Sequence, residues 1–307
     1  MMHESTESGS VLQRTAFVLP GGGSLACVQV GMLRALHAGG VTPDLVVGAS
    51  AGAINAVAYA ADPTSDGLAR LAEQWTAVAR GRGLRPSWIR WLRLASGRAA
   101  SLADPGPLES LLRAQLPVAV LEATRIPCLV LATDQLTGAA CELTAGDAVD
   151  ACLASAAVPA VFPPRQIAKR NLIDGALGSG AGLEVAVRAG ATRLILLPVG
   201  YPCAIRVPPV GPLQSAMHAF SLLLARQVAS EVSSVSRRHT LRIVPPLCPL
   251  EYSAADFTAT STLMARAYRQ TMAWLAAGGL EHEPEAVALS LQPHVHDADG
   301  AGHPLPR

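Results

Sequence analysis

The sequence has few charged residues and almost no excess of either sign. Charged residues make up only 15% of the 307 positions, and 24 Lys and Arg stand against 23 Asp and Glu, so the formal net charge is +1. A protein that binds nucleic acid needs a basic surface to contact phosphates, so this balance argues against that class of partner. Hydrophobic residues make up 50% of the chain, which excludes disorder along its whole length.

The sequence also lacks an uninterrupted apolar run that could span a bilayer. Residues 15–33 and 45–61 carry no charge, but the first run contains Pro20 and three successive glycines, and the second contains Gly48 and Gly52. A membrane-spanning helix needs about 20 mostly apolar residues with every backbone group bonded internally. Each run is instead typical of a buried strand, a tight glycine turn and a helix.

The six cysteines have neither a Cys-x-x-Cys pair nor the spacing of a metal site: Cys27, Cys128, Cys141, Cys152, Cys203 and Cys248. The polar, partly acidic opening does not fit a secretory signal peptide, so we expect reduced thiols in a cytoplasmic protein. His294, His296 and Asp297 are potential metal ligands, but such residues in a polar terminal segment are usually solvated. The sequence therefore predicts no metal site.

Strand-like and helix-like segments alternate along most of the chain. The first strands are expected at 15–19 and 45–47, each followed by a glycine turn and a helix. This alternation predicts an α/β domain with a mostly parallel sheet over residues 14–280. Residues 1–13 and 281–307 lack such periodicity, and we expect flexible termini there.

One segment interrupts the alternation. Residues 80–105 contain six arginines and two tryptophans but a single acidic residue. Trp88 and Trp91 lie on the apolar stripe of a predicted helix, and Arg90 and Arg93 lie off it. This pattern is typical of an interfacial helix, so a lid with peripheral membrane contact is one interpretation. A surface helix that packs its tryptophans on the domain is the other.

A five-residue pattern, Gly48-Ala49-Ser50-Ala51-Gly52, lies between a predicted strand and a predicted helix. A nucleophile elbow needs this context, because the flanking glycines permit a sharp turn that exposes the serine. Ser50 would then lie at a helix N-terminus, where the partial positive charge favours a developing anion. The alternative is a chance match in a chain rich in alanine and glycine.

A nucleophilic serine needs a base and hydrogen-bond donors for an oxyanion. No histidine lies on a loop directly after a predicted strand, whereas Asp174 ends the strand in LIDGAL. Gly21, Gly22 and Gly23 are able to turn successive N–H groups to one side. The same triplet fits part of a dinucleotide-binding fingerprint, but the next strand does not end in the acidic residue that would bind a ribose.

Taken together, these motifs resemble the patatin-like phospholipase family. They occur in family order over about residues 14–200: the glycine triplet, G-A-S-A-G-A, A-T-D-x-x-T-G at 132–138, the segment beginning Ala154-Ser155, and the Asp-Gly-Ala that starts at Asp174. The order and spacing are far more specific than any single motif.

The resemblance implies a three-layer α/β/α fold with a mostly parallel sheet, and a catalytic domain over 14–280. It implies a Ser50–Asp174 dyad without histidine, an oxyanion loop at Gly21 to Gly23, lipid acyl esters as substrates and no cofactor. Asp134, in the A-T-D motif, is interpreted as structural.

The chain departs from the family pattern in two places. Ser24-Leu25-Ala26 carries no basic residue where members often have Arg or Lys, and Gly178–Gly182 replaces an Asn-x-Pro. These departures leave open a non-catalytic lipid-binding or regulatory protein with the same fold. A dinucleotide-binding module is less expected.

Overall fold

The computed structural model describes residues 13–81, 101–205, 209–282, 291–292, 294–296 and 302–304. The four predicted interfacial residues lie outside that part of the chain: Trp88, Arg90, Trp91 and Arg93. The same holds for residues 1–12 and for most of the predicted C-terminal tail. Within that tail, strand β9 (His294–His296) pairs antiparallel with β10 (Gly302–Pro304).

Eight strands in the described residues form one mixed sheet. They are β1 Thr15–Leu19, β2 Leu45–Ala49, β3 Cys128–Asp134, β4 Ala140–Leu143, β5 Arg165–Ile167, β6 Arg170–Asp174, β7 Arg193–Leu196 and β8 Thr240–Ile243. Strands β3, β2, β1, β7 and β8 pair in parallel in that order. Strands β4 and β6 pair antiparallel with β3, and β5 pairs antiparallel with β6.

Nine helices accompany this sheet in the described residues, besides two short 3₁₀ turns at Gly23–Ala26 and Leu121–Ala123. They are α1 Cys27–Ala38, α2 Ala51–Ala61, α3 Ser65–Arg80, α4 Gly106–Gln115, α5 Ala148–Ser155, α6 Gly175–Ser179, α7 Leu183–Arg188, α8 Pro212–Val235 and α9 Thr260–Ala276. The 3₁₀ turn Gly23–Ala26 runs directly into α1 and contains the last glycine of the triplet.

The side-chain alternation of the strands creates two cores. In β1, Phe17 and Leu19 belong to one core, and Ala16 and Val18 belong to the other. The first core packs against α1, α2, α3, α5 and α9. The second packs against α7 and α8. Helices therefore cover both faces of the sheet, and the predicted three-layer α/β/α class is confirmed.

The two uncharged runs of the sequence are strand-turn-helix units within this domain. Residues 15–33 hold β1, the glycine triplet and the start of α1, and residues 45–61 are β2, Ser50 and α2. Across the described ranges, none of the helices combines the length and hydrophobicity required to cross a membrane.

Candidate active site

Ser50 lies in the turn between β2 and α2, and its backbone conformation is strained. Its backbone has φ 55° and ψ −132°, a left-handed conformation that is uncommon for a residue with a side chain. Such strain persists only where the surroundings hold it in place, and it is concentrated at functional sites. The turn presents the Ser50 side chain at the start of α2.

The glycines on either side of Ser50 are required by close packing. A Cβ at Gly48 would lie 2.6 Å from the Cα of Ala53, and a Cβ at Gly52 would lie 2.2 Å from the carbonyl oxygen of Leu19. Both distances are shorter than real Cβ atoms allow, and Gly52 meets backbone that cannot turn aside. The glycines therefore let α2 fold back against the sheet.

Strand pairing brings Asp174 to Ser50. β2 ends with Ala49 opposite Leu131 of β3, and β6 ends with Asp174 opposite the next residue of β3. The ends of the two strands thus meet at adjacent positions of one shared neighbour. Ser50 Oγ donates a hydrogen bond of 2.6 Å to Asp174 Oδ2. The structure therefore brings together the two residues that the sequence singled out.

The Asp174 carboxylate is fully buried and held from several sides. Its Oδ1 accepts the Ala176 N–H at 2.9 Å, and its backbone carbonyl accepts the Thr133 hydroxyl at 2.7 Å. Burial raises the pKa of Asp174 from 3.8 to about 6, and the hydrogen bonds from Ser50 and Ala176 oppose that rise. A carboxylate with this pKa is ionised at neutral pH yet is a better proton acceptor than an exposed one.

Ser155 is a site residue to which sequence reasoning assigned no role. Its Oγ accepts the Ser50 N–H at 2.8 Å and donates to the Leu131 carbonyl at 2.5 Å. It thereby ties the strained turn to β3, the strand that also pairs with β6. In the sequence, Ser155 was noted only as part of the Ala154-Ser155 segment of the family resemblance. Only the structure shows that its hydroxyl joins the Ser50 N–H to the Leu131 carbonyl.

The glycine triplet lies directly over the serine. A Cβ at Gly21 would approach the Ser50 Cβ to 2.7 Å, and a Cβ at Gly22 would approach Val199 Cγ2 to 2.3 Å. Gly23 has φ +57°, and the next N–H, that of Ser24, donates to the Ala254 carbonyl at 2.8 Å. The loop is thus held against its neighbours without the basic residue that family members often have.

A buried polar network supports the glycine loop from below, and sequence reasoning missed it. Gln29 Nε2 donates to the carbonyls of Pro20 and Leu197, at 2.8 and 3.1 Å. Asn55 Nδ2 donates to Gln29 Oε1, and the Trp75 indole N–H donates to Asn55 Oδ1 at 2.8 Å. The network fixes the residue before Gly21 to α1, α2 and α3.

The Gly178–Gly182 departure does not leave the segment after Asp174 without support. Glu231 of α8 accepts the N–H groups of Ala181 and Glu184 at 2.7 and 2.9 Å, and so caps the start of α7. Thr133 Oγ1 accepts the Gly178 N–H at 2.9 Å. These contacts take the place of the proline that is common at this point.

Asp134, next to Thr133, has the structural role that the sequence suggested. Its Oδ1 accepts the N–H groups of Leu136 and Thr137 at 3.0 Å each, in the turn between β3 and β4. These backbone donors lower the pKa of the Asp134 carboxyl. The residue therefore shapes the turn between β3 and β4.

An apolar cavity of about 410 Å³ opens at Ser50. Its walls are mainly aliphatic and aromatic, and the polar lining residues besides Ser50 are Ser24, Gln74, Gln115 and Gln214. The larger lining side chains are Ile54, Leu71, Trp75, Leu102, Leu108, Leu111, Leu112, Phe162, Met217 and Phe257. A cavity of this volume and lining fits an alkyl chain whose polar end reaches the serine.

The chain belongs to the patatin-like phospholipase family. The family model described as patatin-like phospholipase matches residues 17–187, which is more than half of the chain and includes Ser50 and Asp174. The resemblance noted in the sequence is therefore confirmed, and the family assigns the protein to the lipid hydrolases as a class.

Solved structures that are similar to this chain include VipD and ExoU. VipD from Legionella pneumophila has 17% identity and a TM-score of 0.40, over 86% of this chain and 67% of VipD. The type III effector protein ExoU has 17% identity and a TM-score of 0.31, over 87% of this chain and 54% of ExoU. The chain thus spans about two thirds of one and about half of the other.

Proposed function

We propose that this protein is a serine lipid acyl hydrolase, of phospholipase A, lysophospholipase or esterase type. The observation that carries the proposal is the 2.6 Å hydrogen bond from Ser50 Oγ to the buried carboxylate of Asp174. In this proposal Ser50 is the nucleophile, Asp174 is the general base, and the apolar cavity holds the acyl chain.

The first step is transfer of the acyl group to the serine. Asp174 accepts the Ser50 hydroxyl proton while Ser50 Oγ attacks the ester carbonyl carbon. The electron pair of the carbonyl moves to its oxygen, and N–H groups of Gly21 to Gly23 and the N-terminus of α2 stabilise that oxyanion. The intermediate collapses, the alkoxide leaving group takes the proton from Asp174, and an acyl-Ser50 ester remains.

The second step regenerates the enzyme. Asp174 takes a proton from a water molecule, whose oxygen attacks the acyl-Ser50 carbonyl carbon. The bond from Ser50 Oγ to that carbon then breaks, and Ser50 recovers its proton from Asp174 as the free acid departs. One carboxylate can serve both steps because it returns to its ionised form after each of them.

A fluorophosphonate probe tests whether Ser50 is activated. We expect the native protein to form a covalent adduct that tandem mass spectrometry maps to Ser50, because this reagent reacts with an activated serine rather than with ordinary hydroxyls. Pre-incubation with a p-nitrophenyl ester of a fatty acid should slow the labelling. Absence of an adduct in folded protein would contradict the proposal and favour the non-catalytic lipid-binding alternative.

The raised pKa of Asp174 predicts an acid limb in the pH profile. We expect kcat/KM for an uncharged ester to fall below about pH 6, because the protonated carboxyl cannot accept the Ser50 proton. The pKa of Asp174 is higher in the folded protein, at about 6, than the ordinary value of 3.8 expected in the unfolded chain. Between these two pH values the folded state therefore binds more protons than the unfolded state. This group's contribution to stability therefore decreases as the pH rises through that window, opposite to the change in activity.

The measurement is a pH series at constant ionic strength, with circular dichroism at each pH to show that the protein is folded. A loss of activity on acidification in folded protein would support the assignment. Activity that stays level down to about pH 4, the range of an ordinary carboxyl, would contradict Asp174 as a base with a raised pKa.

A further inference from the structure

A second cluster of reactive side chains lies away from Ser50 and Asp174. It consists of Cys203, Cys248, His294 and His296, and we call it the Cys2His2 cluster. Cys203 follows β7, Cys248 follows β8, and the two histidines belong to β9. Their four potential ligand atoms, two sulfurs and two ring nitrogens, all lie within 4.8 Å of one another.

Four of the distances between ligand atoms in the Cys2His2 cluster lie within a few tenths of an ångström of those in a tetrahedral zinc site. Cys248 Sγ lies 3.1 Å from His294 Nε2 and 3.4 Å from His296 Nε2, and Cys203 Sγ lies 3.2 Å from His296 Nε2. The two sulfurs are 3.9 Å apart. Tetrahedral zinc, with bonds of about 2.3 Å to sulfur and about 2.0–2.1 Å to nitrogen, separates its ligand atoms by roughly 3.4–3.8 Å. A disulfide would need the sulfurs at about 2.05 Å.

The surroundings of His294 orient its ring toward the sulfurs. Its Nδ1 lies 2.8 Å from the Gln292 carbonyl and 2.9 Å from the Tyr201 hydroxyl. A proton on Nδ1 is accepted by that carbonyl, and the lone pair on Nε2 then faces Cys248. Histidines that bind zinc typically donate their other ring N–H to a carbonyl or carboxylate in this way.

We propose that Cys203, Cys248, His294 and His296 bind one zinc ion. Two thiolates and two imidazoles in a tetrahedron are a ligand set that zinc prefers, whereas magnesium and calcium prefer oxygen ligands. Four protein ligands leave no open position for water or substrate, so the site is structural. Binding joins the segments after β7 and β8, which are neighbours in the main sheet, to β9, which does not belong to that sheet.

The site also adjoins the candidate oxyanion loop. The Tyr201 hydroxyl contacts His294, and Tyr201 also lines a groove together with Gly21 and Gly22. Val199, which like Tyr201 lies in the segment after β7, packs on Gly22. Zinc would therefore fix the segment after β7 against both β9 and the glycine loop.

The first test uses the full chain purified under reducing conditions from zinc-supplemented medium. We expect one zinc per chain by elemental analysis, and X-ray absorption at the zinc edge should show two sulfur and two nitrogen neighbours at about 2.3 and 2.0–2.1 Å. A shell of oxygen and nitrogen alone would mean adventitious zinc and overturn the proposal. So would zinc-free protein that fails to bind added zinc, or a Cys203–Cys248 disulfide found by mass spectrometry of protein purified without reductant.

The second test compares matched variants. We expect Cys203→Ser and His296→Gln to reduce retained zinc from one equivalent to a small fraction, whereas Cys141→Ser and His282→Gln retain it. Full retention in both ligand variants would overturn the proposal. If the ligand variants do not fold, cobalt is added to the metal-free native chain and the absorption spectrum is recorded. Tetrahedral d–d bands with thiolate-to-cobalt charge transfer would support the site, and an octahedral spectrum would overturn it. None of these readouts depends on catalysis by Ser50.

Discussion

Ser50→Ala is expected to lower ester hydrolysis by about 10⁴-fold or more without unfolding the protein. The substitution removes the oxygen that forms the acyl intermediate, so the remaining activity comes only from substrate binding and oxyanion stabilisation. Alanine has a Cβ in the same left-handed backbone conformation as serine, so the strain of the turn is almost unchanged. The loss should therefore lie in kcat rather than in folding.

The measurement is a steady-state assay with p-nitrophenyl esters and phospholipid vesicles, together with thermal unfolding of each variant. Ser233→Ala is the matched control, because Ser233 lies on an exposed part of α8 and its hydroxyl donates to the Ala229 carbonyl of the same helix. The control should retain native rates. Near-native hydrolysis by Ser50→Ala would remove Ser50 from the mechanism, and an equal loss in both variants would point to an indirect effect.

Asp174→Asn is expected to lower kcat by about 10³–10⁴-fold, because an amide of nearly the same shape cannot accept the Ser50 proton. Its oxygen can still accept the Ala176 N–H, and its NH₂ group can donate to Ser50 Oγ. Since burial disfavours the charged form of Asp174, removing the charge should leave stability at neutral pH unchanged or higher. Lower activity with preserved stability would identify a chemical rather than a structural role.

The control for this variant is Asp66→Asn, at an exposed position in the first turn of α3. The fluorophosphonate reaction supplies a second readout, since Ser50 should label far more slowly without its base. The new Asn-Gly pair is prone to deamidation, which restores aspartate, so the mass of the variant must be checked with each assay. Activity within tenfold of native in intact variant would show that another group takes the proton.

How far the sequence predicts this site depends on how local each feature is. The elbow at Ser50 was predictable because its causes lie within a few residues: an apolar strand, two glycines and a small-residue helix. The glycine triplet was recognisable for the same reason. The Ser50–Asp174 contact joins residues 124 positions apart, and the sequence suggested it only through family likeness and the absence of a suitable histidine.

Other contacts had no local signal. Ser155 binds the Ser50 N–H across 105 positions, and the Gln29–Asn55–Trp75 network joins three helices. Only the structure shows how the two departures from the family pattern are accommodated. The Ala254 carbonyl accepts the Ser24 N–H beside the glycine loop, and the Glu231 carboxylate accepts the Ala181 N–H after Asp174. Hydrophobic periodicity carries no information on which polar groups meet, because that depends on the crossing of helices and on strand register.

The Cys2His2 cluster shows the same limit most clearly. The sequence predicted no metal site, since Cys203, Cys248 and His294 are separated by 45 and 46 positions and match no ligand spacing. The ends of β7 and β8 lie side by side in the parallel sheet, and that pairing brings the two cysteines together. The histidines then reach them from β9.

The sequence by itself determined the α/β class, the family and the two turns at which the candidate chemistry lies, because short-range patterns of glycine and apolar residues dictate local structure. It also determined that the long uncharged runs are interior strands and helices rather than membrane spans. Only the tertiary structure decided which distant side chains meet. The register of β2 and β6 on β3 brings Asp174 to Ser50, and the pairing of β7 with β8 brings the two thiols together, because hydrogen-bonded strand pairing fixes positions that no local pattern specifies.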